Sequence, residues 1–228
     1  MGKIRRKDLK NTPQFRIIPS RFPPIPMFEA LVDPEELEIA FALESATNDR
    51  VRAEAGNLFL VDKSQWVTGP GASIVMAAFT HFGRESRFSR GDYGVYYASL
   101  DEETAIAETV FHQERRLKET QEDAIELEMR CYSGTALLPM HDIRGSAHQA
   151  LSNPDIATWP ACQRLGAELR DSGSNGLLYR SARRTPGKCI AAFEPTAVSL
   201  PIQSQHLKYC WNGDRIDRVF SVSDIRVL

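Results

Sequence analysis

The sequence has 228 residues, 42% hydrophobic and 25% charged, which is enough apolar material for a folded core without disulfides or metals. Lysine and arginine number 28 and aspartate and glutamate 30; the formal net charge of -2 excludes the footprint of a dedicated nucleic-acid binder, so no direct nucleic-acid binding is expected. No run approaches a membrane span, the charged start MGKIRRKDLK leads to no apolar signal core, and Cys131, Cys162, Cys189 and Cys210 form no CxxC pair, so a cytoplasmic chain with free thiols and no membrane association is expected.

Residues 1 to 12 are basic and polar and read as a flexible tail, followed by a single domain over 13 to 228. Gln14 to Ile18 reads as a short strand. Prolines 13, 19, 23, 24 and 26 then keep the chain extended. Pro34 opens a helix over 34 to 54, with Leu37, Ala40 and Phe41 on one face. Asn57 to Val61 reads as a strand, Trp66 to Gly71 as a turn, and a helix begins near Ala72. After the polar loop GRESRFSRGD, Tyr93 to Ala98 reads as a strand. Ser99 and Glu102 fit a capping box for a helix running to about Lys118, with Ile106, Val110 and Leu117 as its core stripe.

Ala124 to Tyr132 alternates as a strand, which Thr135 to Leu138 extends. Residues 141 to 160 read as loop and Ala161 to Asp171 as a helix ended by Ser172-Gly173. Gly176 to Tyr179 and Cys189 to Phe193 read as strands flanking SARRTPGK, and Asn212-Gly213 marks a closing hairpin. The interspersed elements predict one α+β domain with a mixed sheet.

Most catalytic motifs are absent. Gly69-Pro70-Gly71 lacks the lysine and later glycine of a phosphate loop and reads as a turn. The five histidines show no paired ligand spacing, so no metal is expected, and no G-x-S-x-G occurs. Arg180, Arg183, Arg184 and Lys188 form a basic cluster that reads either as an anion site or as a solvated loop. Glu108 and His112 lie one turn apart on a face opposite the core stripe; periodicity alone gives that face to solvent.

The stretch from Gly69 to Arg116 resembles the RES-domain family, toxins of bacterial toxin–antitoxin pairs. Its pattern of an arginine in a glycine- and aromatic-rich loop, a tyrosine on the next strand and a glutamate on the next helix falls on Arg87, Tyr97 and Glu108. The flanks RFS-x-G, VYYAS and ETAIAET agree, and a later family serine matches Ser181 in GLLYRSAR. The resemblance runs over about residues 14 to 220; the loop has Arg87-Phe88-Ser89 where many members have tryptophan and asparagine.

The resemblance implies a fold similar to ADP-ribosyltransferase toxins and NAD as substrate, with no permanently bound cofactor. It implies cleavage by phosphorolysis or hydrolysis, with inorganic phosphate as a potential co-substrate, or transfer of ADP-ribose to a protein. It also implies a helix-turn-helix antitoxin as partner, in a homodimer or a toxin–antitoxin hetero-oligomer. Glu108 would stabilise the charge developing on the ribose, and Arg87 would bind the diphosphate. Tyr97 would offer a ring face to the cationic nicotinamide and a hydroxyl for orientation. Ser181, His112, Arg183 and Arg21 are further candidate contacts, with Arg16 competing with Arg21. The alternative of another class is an inactive module that grips nucleotide or antitoxin, against which the intact Arg87, Tyr97 and Glu108 argue.

Overall fold

The strands of the computed structural model, which describes residues 4–30, 33–47 and 56–222, are β1 (Arg6–Lys7), β2 (Thr12–Pro19), β3 (Tyr96–Ser99), β4 (Ile125–Ala136), β5 (Met140–Asp142), β6 (Gly176–Arg180), β7 (Lys188–Ala192), β8 (Ile202–Trp211) and β9 (Ile216–Val222). The described α-helices are α1 (Pro26–Glu29), α2 (Pro34–Thr47), α3 (Ala72–Thr80), α4 (Glu102–Thr120) and α5 (Trp159–Asp171). The strands form one mixed sheet in the order β1-β5-β6-β7-β3-β2-β4-β8-β9, with β5 and β6 parallel. The α+β class expected from the sequence is the class observed.

Period-two alternation assigns the two faces. Tyr96, Ala98, Ile190, Ala192 and Leu178 point to a core shared with α1, α2 and α3. Tyr97, Cys189, Ala191, Leu177 and Tyr179 point the other way, toward a core with Leu165 of α5. On that second face α4 lays Ala105, Ile106 and Val110 over Ile17, Met129 and Leu207. The cavity described below therefore lies between α4 and α5.

Several expectations are corrected. Residues 4 to 12, expected as a tail outside the domain, add a strand to its sheet: β1 pairs with β5, Leu9 is buried, and the Asn11 amide bonds Ala136 O. Ile4 and Leu9 pack against the two cores on either side of β1, and the strand pairs along the edge of β5. Leu58–Leu60 forms a 3-10 turn instead of a strand, with Leu58 buried and Phe59 and Leu60 exposed. Asp101, not Ser99, caps α4 by accepting from the Thr104 amide, while Ser99 ends β3 with its hydroxyl 3.4 Å from Cys189 Sγ. The last residues of the helix expected over 34 to 54 lie outside the described residues. Gly71 has φ +90°, a Cβ there would meet Pro201 O at 2.3 Å, and Glu29 accepts from the Gly71 and Ser73 amides. That carboxylate fills the start of α3, so Gly69-Pro70-Gly71 is a turn and holds no phosphate.

Candidate active site

β2 and β3 share a single register pair, Phe15 with Ser99, so the sheet splays beside it. The Tyr97 carbonyl faces the gap and is bonded by a side chain instead of a strand, with Arg16 Nη1 donating to it at 2.9 Å. The Arg16 guanidinium also lies 4.5 Å from the Tyr96 ring centre, and burial lowers its pKa. Beside this gap, between α4 and α5, is a cavity of about 200 Å³.

Glu108 enters from α4. Its Oε1 accepts from Ser181 Oγ at 2.6 Å and from the Ala182 amide at 3.1 Å. Ser181 in turn accepts from the Arg183 and Arg184 amides, both at 3.0 Å. The β6–β7 loop is thus wound around one buried hydroxyl that fixes one carboxylate. Among the described residues, Glu108 Oε2 accepts none of these bonds, which leaves it for a ligand. The face that periodicity assigns to solvent is covered by this loop.

Tyr97 enters from β3. Its hydroxyl lies 2.8 Å from Ser86 Oγ and accepts from the Phe88 amide at 3.0 Å, and burial raises its pKa. The ring lines the cavity; the hydroxyl, expected to orient substrate, holds the loop that carries Arg87. Arg87 lines the cavity and is buried. Its Nη1 donates to Leu151 O at 2.9 Å, and both Nη atoms lie 3.4 Å from Asn153 O. The guanidinium therefore also ties down the 3-10 segment Ser146–Ser152.

His112 and Arg183 complete the charged wall. His112 keeps solvent access, yet desolvation lowers its pKa, aided by Arg183, Arg115 and Arg87 and opposed by Glu108. Desolvation lowers the Arg183 pKa as well, with Glu108 opposing and Arg87 assisting. Arg183 stacks on Phe111 with its guanidinium carbon 3.2 Å from the ring centre. Burial pushes the Cys189 thiol up to about 12, so it stays protonated and is no nucleophile at neutral pH.

The structure brings Glu108, Arg87, Tyr97, His112 and Arg183 to one cavity. Ser181 stands behind Glu108 and positions it. Arg21 is elsewhere, in a separate surface cleft with Gln113 and Arg116 and packed on Phe22, because the chain turns away after Pro19. Arg16 lines the cavity in its place. The basic cluster is also dispersed. Arg180 bonds Arg144 O, and Arg184 reaches Asp101 at 3.5 Å and Glu103 at 3.7 Å, which leaves Arg183 alone in the cavity wall. The sequence reading missed Trp159, Tyr179 and Phe15, which also line it. Nothing in their spacing marks them, since they lie far apart in the chain.

A family model described as the RES domain matches residues 59–212. This chain belongs to the RES-domain family. The match contains Arg87, Tyr97, Glu108 and Ser181, whereas Arg16 lies before it. An uncharacterized protein, y4oC, of Sinorhizobium fredii is 29% identical over 215 residues, covering 92% of this chain and 87% of that protein. A crystal structure of the MbcT–MbcA toxin–antitoxin complex of M. tuberculosis matches with 12% identity and a TM-score of 0.38, over 56% of this chain and 72% of that one. Among the described residues of this RES domain, no cluster of three or more His, Cys, Asp or Glu has metal-binding geometry. No described helix is long and apolar enough to cross a membrane.

Proposed function

We propose that this RES domain is the toxin of a toxin–antitoxin pair and cleaves NAD at the nicotinamide–ribose bond. The observation that carries the reading is Glu108, one oxygen pinned by Ser181 and Ala182 and the other left toward a cavity walled by Tyr97, Arg87 and Arg183. Breaking that bond builds positive charge on the ribose, as in glycoside cleavage, and a fixed carboxylate stabilises it without reorganising. Nicotinamide leaves as a neutral molecule and takes the bonding pair, so no acid and no metal is needed to expel it. The Tyr97 ring supplies an aromatic face for the cationic nicotinamide.

The dinucleotide is longer than the Glu108 cavity. A second cavity of about 550 Å³ adjoins it, sharing Arg16, Ser86 and Tyr97. Its walls are mostly apolar, from the proline-rich segment after β2 and from α3, and its charged groups are Arg16 and Arg84. Arg16 stands at the junction, where a diphosphate between the two halves would meet it. Family membership supports the toxin role and, with it, an antitoxin as partner.

NAD consumption by the purified chain, with and without inorganic phosphate and with products resolved by chromatography, tests the reading. Loss of NAD is expected, and Glu108→Gln should lower its rate at least ~100-fold, as removal of a preorganised charge does, while leaving the thermal unfolding midpoint within a few degrees. Full activity in that variant would overturn the assignment. Label transferred from NAD to a protein would redirect it to ADP-ribosylation.

A further inference from the structure

Three guanidinium groups from three parts of the chain meet away from Glu108, where the second cavity opens to solvent. Arg84, exposed on the loop after α3, lines that cavity together with Phe22. Arg21 stacks on Phe22 with its guanidinium carbon 4.9 Å from the ring centre. Arg21 and Arg116 line the adjoining cleft, which meets the cavity at Pro19. Desolvation lowers the Arg116 pKa, and Arg21 and Arg84 lower it further against the pull of Glu122, so the three charges act on one another. Arg116 Nε donates to Gln113 Oε1 at 3.1 Å, but among the described residues none of the three makes an ion pair. Of the carboxylates in the cleft, Glu126 is held by Lys208 at 2.8 Å, and Glu122 and Glu128 stop short of ion-pair distance. Like charges gathered in this way repel, and a shared anion relieves them.

The wall of the second cavity is the other observation. Among the described residues no carboxylate lines it. A ribose 2′-hydroxyl donates a hydrogen bond and is commonly held by a carboxylate; a 2′-phosphate is repelled by one and is accommodated by arginine. We propose that Arg84, with Arg21 and Arg116 beside it, binds the 2′-phosphate of a dinucleotide, so that this chain takes NADP as well as NAD. A phosphate monoester carries more charge than a carboxylate at neutral pH and fits the guanidinium fork. The bond cleaved is the same in both dinucleotides, and the 2′-phosphate stays on the ADP-ribose product. Turnover of NADP rests on the NAD-cleavage reading; the preference for a 2′-phosphate in binding does not.

The first arm is calorimetric titration of the full chain with adenosine 2′,5′-bisphosphate and with 5′-AMP, which differ only in the 2′-phosphate. The bisphosphate should bind about tenfold more tightly, the gain of one charge-assisted contact. Arg84→Ala should bring the two affinities together by weakening the bisphosphate alone. Arg84 is exposed, and the unfolding midpoint of the variant checks its fold; the comparison of the two nucleotides on the unaltered chain decides even without the variant. The second arm is steady-state cleavage of NADP and NAD. Arg84→Ala should lower kcat/KM for NADP about tenfold and leave that for NAD unchanged. Equal or undetectable binding of the two nucleotides by a chain that consumes NAD would overturn the 2′-phosphate site and leave the NAD reading intact. A preference for the bisphosphate that survives in a folded Arg84→Ala would overturn the assignment to this cluster. A preference lost in Arg84→Ala, in a chain that cleaves neither dinucleotide, would keep the site and sink the NAD reading.

Discussion

Ser181 Oγ makes three of the bonds that shape the site: it donates to Glu108 and accepts from two amides of its own loop. One hydroxyl thus couples the aim of a carboxylate to the path of the β6–β7 loop. Ser181→Ala removes all three and leaves two amides and a carboxylate oxygen short of a partner. It should destabilise the fold by about 1–3 kcal/mol and lower kcat more than it raises the KM for NAD. Thermal unfolding and steady-state kinetics read the two effects; an unchanged kcat would remove Ser181 from the positioning of Glu108. His112 gives a pH signature. Its folded-state pKa is below the ordinary 6.5, chiefly through desolvation. The folded chain therefore takes up that proton less readily than the unfolded one. The stability it contributes is present above pH 6.5 and is lost as pH falls through the lower folded-state value. His112→Asn should flatten that limb of the unfolding midpoint against pH, and a limb unchanged in slope would show that another group titrates there.

The helices and strands carry these residues with unequal visibility in the sequence. Long periodic stretches were legible: α4, α5 and the strands β2, β4, β6 and β7 lie where spacing puts them. Three apolar residues at 58 to 60 were not, because a run that short has no period to distinguish a strand from a 3-10 turn. The Ser99–Glu102 capping signal was displaced by Asp101, a stronger acceptor two residues on. Glu108 and His112 shared a face legibly, yet that the β6–β7 loop covers the face was invisible, because covering is a tertiary event. Arg87, Tyr97 and Glu108 were legible through the family pattern, and Trp159 was not, because neither that pattern nor spacing marks it. The contact between α5 and the Arg87 loop can be tested. Gly166 on α5 meets Phe88 so closely that an added Cβ would lie 2.4 Å from Phe88 O and 3.1 Å from the Tyr93 hydroxyl. Gly166→Ala must push the loop from the helix, at about 1–3 kcal/mol for overpacking. Arg87 rides on that loop, so NAD cleavage should fall with the midpoint. Wild-type stability and activity in Gly166→Ala would mean that the loop yields without moving Arg87.

Across the whole molecule, the cavity draws on β2, the Arg87 loop, β3, α4, α5, β6, the β6–β7 loop and β7, segments spread from Phe15 to Cys189. Sheet order makes this possible: β7, β3 and β2 are neighbours in space though far apart in the chain, and the splay between the last two opens the wall. No local pattern encodes that adjacency. The same scale decides how the chain meets nucleic acid. Its 28 basic residues are outnumbered by 30 acidic ones. Several cations that might have formed a patch are paired, Arg184 with Asp101 and Glu103, Arg144 with Asp142, and Lys208 with Glu126. Arg87 and Arg183 line a cavity too small for a duplex. Tight DNA binding requires several lysines or arginines to reach phosphates at once, and the affinity then falls steeply with salt. The purified chain alone should give no discrete mobility shift with duplex DNA at physiological ionic strength, and any retardation at low salt should be weak and indifferent to sequence. A tight, salt-sensitive shift would mean that a basic surface assembles elsewhere, on an oligomer or on residues outside those described. If an antitoxin partner binds this chain, an operator shift that appears only on its addition would assign DNA contact to that partner and leave this chain with the small-molecule chemistry of its cavity.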